Sequence, residues 1–236
     1  MSAWALETRG LCAWHRDLQV LFDVDIQVPE AAVVALIGAN GAGKSSLLDS
    51  LAGLVRSRGS IALGDTPLQG LSPARIAQLG LALVPEGRRL FPSLSIEENL
   101  LIGAASGRSG PWNLARIYAL FPVLAEKRHA PSHSLSGGQQ QMAAIGRGLM
   151  SNPRVLMCDE ISLGLSPAVV KGIYEQLGTI TREGTAIVLV EQSIVLAMQA
   201  AQHVYCMREG QVVLNGAPEA LTREQISQAY FGAHHE

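Results

Sequence analysis

Apolar and polar residues alternate in part from Trp4 to Val28, with Val20, Phe22, Val24, Ile26 and Val28 set against polar or smaller neighbours. Trp4 to Trp14 and Val20 to Val28 therefore read as two strands, separated by a turn in the polar stretch His15 to Gln19. With Ser60 to Leu63 they are expected to form an antiparallel sheet. The alternation ends at Ala31, where AAVVALI is uncharged and rich in β-branched residues, the pattern of a strand buried on both faces. Leu81 to Val84 and Thr185 to Val190 read in the same way and Arg154 to Glu160 as an apolar strand ending in two acids, so a parallel core is predicted. Helix formers resume at Leu47 to Leu54, and Ser72-Pro73 opens a helix to Leu79 with an N-cap and a proline at the first helical position.

Leu90 to Ser151 has a different character. Pro92, Pro111, Pro122 and Pro131 punctuate it, and helical patterns fall at Ile96–Ala104, Asn113–Phe121 and Gln139–Met150. It reads as a helical insertion between two halves of a parallel sheet. A helix and a small hairpin (Val204–Met207 and Gln211–Leu214) are expected to complete the core, and Glu219 to Phe231 is a terminal helical segment with no assigned purpose. The fold class is α/β, in one domain: residues 1–87 and 152–236 form the core with its antiparallel subdomain, and 88–151 the helical subdomain.

Composition narrows the partners. A chain of 236 residues with 48% hydrophobic content can bury a large core. Lys and Arg number 18 against 20 for Asp and Glu, giving a formal charge of −2, and no block of like charge occurs, so no nucleic-acid partner is expected. Cys12, Cys158 and Cys206 are odd in number and set among apolar residues, as expected of reduced thiols in a cytoplasmic protein. MSAWALETRG lacks the apolar region of a secretory signal. No stretch is suited to span a bilayer, so membrane association is expected only through a partner.

Gly38-Ala39-Asn40-Gly41-Ala42-Gly43-Lys44-Ser45-Ser46 is a P-loop, G-x-x-x-x-G-K-S, in the order strand, glycine loop, helix. This order aims backbone N–H groups and the positive end of a helix dipole at one anion. Lys44 adds a point charge for the outer phosphates, and the Ser45 hydroxyl a ligand for the accompanying Mg²⁺. Asp159 and Glu160 end a parallel strand, whose C-terminal end belongs at the ligand edge of an α/β sheet. Asp159 is suited to hold Mg²⁺ through water and Glu160 to deprotonate or orient an attacking water. Trp14, at the mouth of the first turn, either stacks on an adenine ring or packs as an ordinary core tryptophan. Leu135-Ser136-Gly137-Gly138-Gln139 opens a strong helical pattern, and so offers a second anion-binding helix N-terminus.

Here the sequence resembles the ATP-binding cassette superfamily, in which LSGGQ is the signature motif. P-loop, signature and Asp159-Glu160 agree in order and spacing across essentially the whole chain. The resemblance implies a P-loop NTPase (RecA-like) core, ATP and Mg²⁺ as ligands, and a head-to-tail dimer in which Ser136, Gly137, Gly138 and Gln139 press on the γ-phosphate held by the partner's P-loop. Within the superfamily the chain looks most like the ATP-binding subunits of branched-chain amino acid importers, of the hydrophobic amino acid uptake class. GANGAGKS, VPEGRRLFPSLSIEENL, SGGQQQMAAIGRGLMSNPR, SLGLSP and LVEQ carry that likeness. It implies an ATPase at the inner face of the cell membrane, bound to transmembrane permease subunits and a second cassette subunit, and served indirectly by an extracytoplasmic solute-binding protein.

Carried over by position, Trp14 takes the place of the adenine-stacking aromatic and Glu86 that of a Mg²⁺-binding, coupling glutamine. Glu160 is the catalytic base, and Gln192 occupies the place of the switch histidine. Glu86 and Gln192 depart from the superfamily at large but fit this importer subset. Ile161 replaces a common proline, and Ser166 stands where many cassettes carry the aspartate of a loop that talks across the dimer. Both bear on how tightly two sites are coupled, and neither removes a phosphate ligand. A soluble, non-transport cassette or a nucleotide-sensing module is the alternative, weighed against by the intact Glu160, the near-neutral charge and the lack of a second cassette.

Overall fold

The computed structural model describes residues 4–232. In chain order its first half comprises β1 (Trp4–His15), β2 (Leu18–Pro29), β3 (Val33–Ile37), α1 (Lys44–Leu51), β4 (Arg56–Leu63), β5 (Thr66–Pro67), α2 (Pro73–Leu79), β6 (Leu81–Val84) and α3 (Ile96–Gly103). The remainder comprises α4 (Leu114–Leu120), α5 (Pro122–Glu126), α6 (Gly137–Leu149), β7 (Val155–Asp159), α7 (Pro167–Arg182), β8 (Ala186–Glu191), α8 (Ile194–Ala200), β9 (His203–Arg208), β10 (Gln211–Gly216) and α9 (Arg223–Phe231).

Two sheets result. One is antiparallel, in the order β2-β1-β4-β5. The other has the order β10-β9-β3-β8-β7-β6 and is parallel except for the β9–β10 hairpin at its edge. Every residue of β3, β7 and β8 is buried, as expected of largely apolar strands covered on both faces, although β7 and β8 each end in a carboxylate, Asp159 and Glu191. Alternate side chains of the six-stranded sheet enter two cores. Val34, Leu36, Met157 and Val188 meet α1 and the antiparallel sheet, whereas Ala35, Ile37, Leu156 and Leu189 meet helices α3 to α9 on the opposite face. Between β6 and β7 the described elements are α3 to α6 and two short 3₁₀ turns.

The alternation expected along β2 is corrected by the structure. Leu21, Val24, Ile26 and Val28 are buried, while Phe22 is 38% exposed. Ala13 pairs with Leu21 and Leu11 with Val24, so β2 uses one residue more than β1 over this interval, and Asp23 adopts φ +54°. This bulge reverses the facing of Phe22 relative to the residues after it. A further element, α7, has no counterpart in the sequence reading, although Ser166-Pro167 begins it and Val170, Ile173, Leu177 and Ile180 form its buried stripe.

Because β3, β6, β7 and β8 run parallel, their C-terminal ends share one edge. That edge collects the P-loop after β3, Glu86 after β6, Asp159 and Glu160 at the end of β7, and Gln192 after β8.

Candidate active site

The P-loop leaves β3 at Gly38, whose φ is +155°; a Cβ there would stand 2.3 Å from the Met207 carbonyl oxygen of β9, so no side chain fits. Gly43 (φ +101°) precedes α1. α1, like α5 and α7, has no side-chain cap, whereas the other six described helices each have a Ser, Thr or Asn side chain accepting a first-turn N–H. The first turn of α1, Lys44 to Ser46, lines a cavity, so the positive end of this helix dipole faces the space a ligand would occupy.

Lys44 is 5% exposed and its Nζ donates to the carbonyls of Gly38 (2.7 Å) and Ala39 (3.1 Å), with Glu160 Oε1 at 3.9 Å. Burial lowers its pKa, opposed by the charges of Glu160 and Asp159. The Ser45 hydroxyl donates to Asp159 Oδ1 at 3.4 Å. Burial also raises the Asp159 carboxyl; the Ser45 bond opposes it, and the nearby charges of Glu160, Glu86 and Asp49 add to the rise. A hydroxyl and a carboxylate, with Glu86 close enough to be felt, are the hard oxygen donors that suit Mg²⁺. Ser45 and Asp159 would hold the ion, whose chemistry when bound is to neutralise charge on the outer phosphates.

Asn40, Gly41, Gly43, Lys44, Ser45 and Ser46 line a cavity of about 810 Å³, with Glu86, Glu160 and Gln192 on its other walls. The Gln192 amide donates from Nε2 to Glu160 Oε2 at 2.6 Å; a carboxylate only accepts, which fixes the orientation of the amide. Glu160 adopts φ +48°, a conformation that costs a non-glycine residue about 1–3 kcal/mol, and its N–H donates to the Val190 carbonyl at 3.1 Å. Ala42 is buried and its carbonyl accepts from the Gly210 N–H, which ties the P-loop to the β9–β10 turn.

Other residues stand apart. Ser136, Gly137, Gly138 and Gln139 do not line this cavity. Ser136 caps α6 in a reciprocal pair with Gln139, at 3.3 and 3.1 Å, and remains exposed. A Cβ on Gly138 would overlap Val169 of α7 at 2.6 Å, so glycine here permits helix packing. The loop after Glu86 is fastened to α6, where Arg147 donates to the carbonyls of Arg89 (2.8 Å) and Arg88 (3.1 Å).

Trp14 is half-buried and absent from the cavity wall; Arg56 and Arg58 of β4 lie over its ring at 5.1 and 5.8 Å. Its cross-strand partner Gln19 does line the cavity, together with Val20, Phe22, Glu209 and Gly210. The sequence reading missed these five. Phe22 arrives through the bulge, and its N–H donates to Gly210 at 2.9 Å, so the two segments meet only in the fold. His15 was missed as well, and its Nε2 lies 3.0 Å from Ser46 Oγ.

Comparison with known proteins agrees with this geometry. The family described as ABC transporter matches residues 21–162. The high-affinity branched-chain amino acid transport ATP-binding protein BraG of Pseudomonas aeruginosa is 40% identical over 93% of this chain and 96% of its own length. A probable branched-chain amino acid transport ATP-binding protein of Archaeoglobus fulgidus is 32% identical over 96% of this chain and 98% of its own. Among solved structures, the ADP conformation of an ATP-binding cassette of an ABC transporter superposes with a TM-score of 0.81 at 24% identity, over 95% of this chain and 94% of that one. The chain belongs to the ABC transporter family, as one of its ATP-binding cassettes.

Proposed function

We propose that this chain hydrolyses ATP to drive uptake of branched-chain or related amino acids, at the inner face of the membrane and bound to permease subunits. The observation that carries the hydrolytic part is the meeting of Lys44, the Ser45–Asp159 pair and the Gln192–Glu160 pair around one cavity. The likeness to BraG over 93% of the chain supports the solute class, and favours a transporter subunit over a soluble cassette or a sensing module. No helix among the described residues is long and apolar enough to cross a membrane.

In this reading the P-loop N–H groups and Lys44 hold the β- and γ-phosphates, and Ser45, Asp159 and Glu86 serve the Mg²⁺. Glu160 takes the proton of the attacking water, and the Gln192 amide fixes that carboxylate and donates to the γ-phosphate. Trp14 stacks on the adenine. Gln192→Ala is expected to lower kcat by about 10- to 100-fold, the worth of one hydrogen bond of roughly 1.5–3 kcal/mol to a charged acceptor, with little change in nucleotide affinity. Gln192→His should be tolerated. Steady-state ATPase assays on both variants check this, and wild-type activity in Gln192→Ala would remove the residue from the site.

The signature residues lie off the cavity wall, so they would meet nucleotide only across a dimer of cassettes, homotypic or with a related subunit. Light scattering of Glu160→Gln with ATP should show a dimer, and Ser136→Arg in the same background should restore the monomer. The permease would dock beside the Glu86 loop, where Phe91 is 50% exposed and adjoins Arg147, which also lines a groove of about 440 Å³ with Leu54 and Ile102. Cross-linking from Arg89 or Phe91 tests that contact. The solute class is tested by reconstituting the chain with its permease and solute-binding protein. ATP-dependent uptake of leucine, isoleucine or valine is expected, and a transporter that hydrolyses ATP but moves only an unrelated solute would overturn the assignment.

A further inference from the structure

Glu191 has no place in the scheme above. It is the last residue of β8, 1% exposed, after five buried apolar residues. Among the described residues no Lys, Arg or His pairs with it. Two hydroxyls satisfy its carboxylate: Tyr174 of α7 donates to Oε1, and Ser162 of the loop after β7 donates to Oε2 at 2.8 Å. An apolar residue would fill this position at lower cost, since a buried carboxylate carries a desolvation penalty of several kcal/mol. Its presence calls for a task that needs the two acceptor oxygens.

The neighbours of this cluster identify that task. Ser162 lies two residues after Glu160, and Gln192 follows Glu191 directly. The Ser162–Glu191 bond thus joins the loop that carries Glu160 to the strand end that carries Gln192, beside the direct Gln192–Glu160 bond of 2.6 Å. Glu160 holds a left-handed backbone that surrounding contacts must maintain. Tyr174 extends the connection to α7, the helix against which Gly138 of the signature packs. Glu191 itself does not line the nucleotide cavity, and Ser162 and Tyr174 open on a separate cavity of about 720 Å³ between α7 and α8.

We infer that Glu191, through Ser162 and Tyr174, is a positioning residue that holds Glu160 and Gln192 in register for hydrolysis and makes no contact with the nucleotide. This role rests on the functions proposed for Glu160 and Gln192.

The test is steady-state ATPase and equilibrium Mg-ATP binding on the purified full chain. Ser162→Ala and Tyr174→Phe should each lower kcat by about tenfold, with KM and Kd within about twofold of wild type, since alignment and not binding is lost. Ser162→Thr restores the hydroxyl and should restore kcat. Glu191→Gln keeps the shape and gives a fall without unfolding, and combining Ser162→Ala with Gln192→Ala should cost less than the product of the single effects, as for residues sharing one job. Unchanged kcat in both Ser162→Ala and Tyr174→Phe, beside an inactive Glu160→Gln, overturns the positioning role alone. A fall that Ser162→Thr fails to rescue, or that is matched by a rise in Kd, overturns it as well. Full turnover in Glu160→Gln instead removes the hydrolytic reading, and this role with it.

Discussion

Glu160→Gln lowers ATP turnover by a factor of about 10²–10⁴, the contribution of a positioned general base, and leaves nucleotide binding in place. The substitution keeps the size of the side chain, so the Glu160 N–H can still donate to the Val190 carbonyl and the unusual φ of +48° is retained. The amide that replaces the carboxylate can still meet Gln192, but it takes no proton from water. Lys44 loses a carboxylate at 3.9 Å that competes with phosphate for its charge, so affinity for Mg-ATP should hold or rise. Single-turnover hydrolysis and equilibrium binding on the same preparation separate the two effects. A variant that hydrolyses at the wild-type rate would remove Glu160 from the role of base and leave Asp159 as the only other carboxylate at that strand end.

The parts of this site written in consecutive residues were legible before the fold was known. A P-loop is a local object: strand, glycines and helix follow one another, and uncharged β-branched runs such as β3 and residues 186–190 of β8 have few structures open to them besides a strand covered on both faces. Contacts across long sequence separations were not legible. Phe22 reaches the cavity because a bulge, invisible in the apolar pattern, turns it away from the core, and Gly210 reaches it because the β9–β10 turn packs on β2. Trp14 shows the opposite failure. Position by position it matches an adenine-stacking aromatic, yet Arg56 and Arg58, more than 40 residues later, lie over its ring. Glu191 read only as the residue before Gln192, because neither Ser162 nor Tyr174 lies near it in sequence. The buried stripe of α7 was within reach of periodicity alone, and its Ser-Pro start was visible.

Lys44→Ala is expected to weaken Mg-ATP binding by more than about hundredfold, since one or two charge-assisted hydrogen bonds of roughly 1.5–3 kcal/mol each are lost. The geometry leaves no substitute. Among the described residues Lys44 is the only cationic side chain lining the nucleotide cavity, whose other charged groups are Glu86, Glu160 and Glu209. Its Nζ already bonds the Gly38 and Ala39 carbonyls, so the ammonium is delivered to the loop in a fixed place and a ligand need not order it. Burial lowers its pKa, which means that the fold spends free energy to keep the charge there and a phosphate would recover part of it. Removing the side chain strands two carbonyls and turns the field in the cavity from mixed to acidic, so the anionic Mg-ATP is repelled. Calorimetric titration of Lys44→Ala with Mg-ATP, beside a thermal melt without nucleotide to show that the chain is folded, gives the answer. A folded variant whose affinity stays within about threefold of wild type would show that the backbone N–H groups of the α1 terminus hold the phosphates unaided.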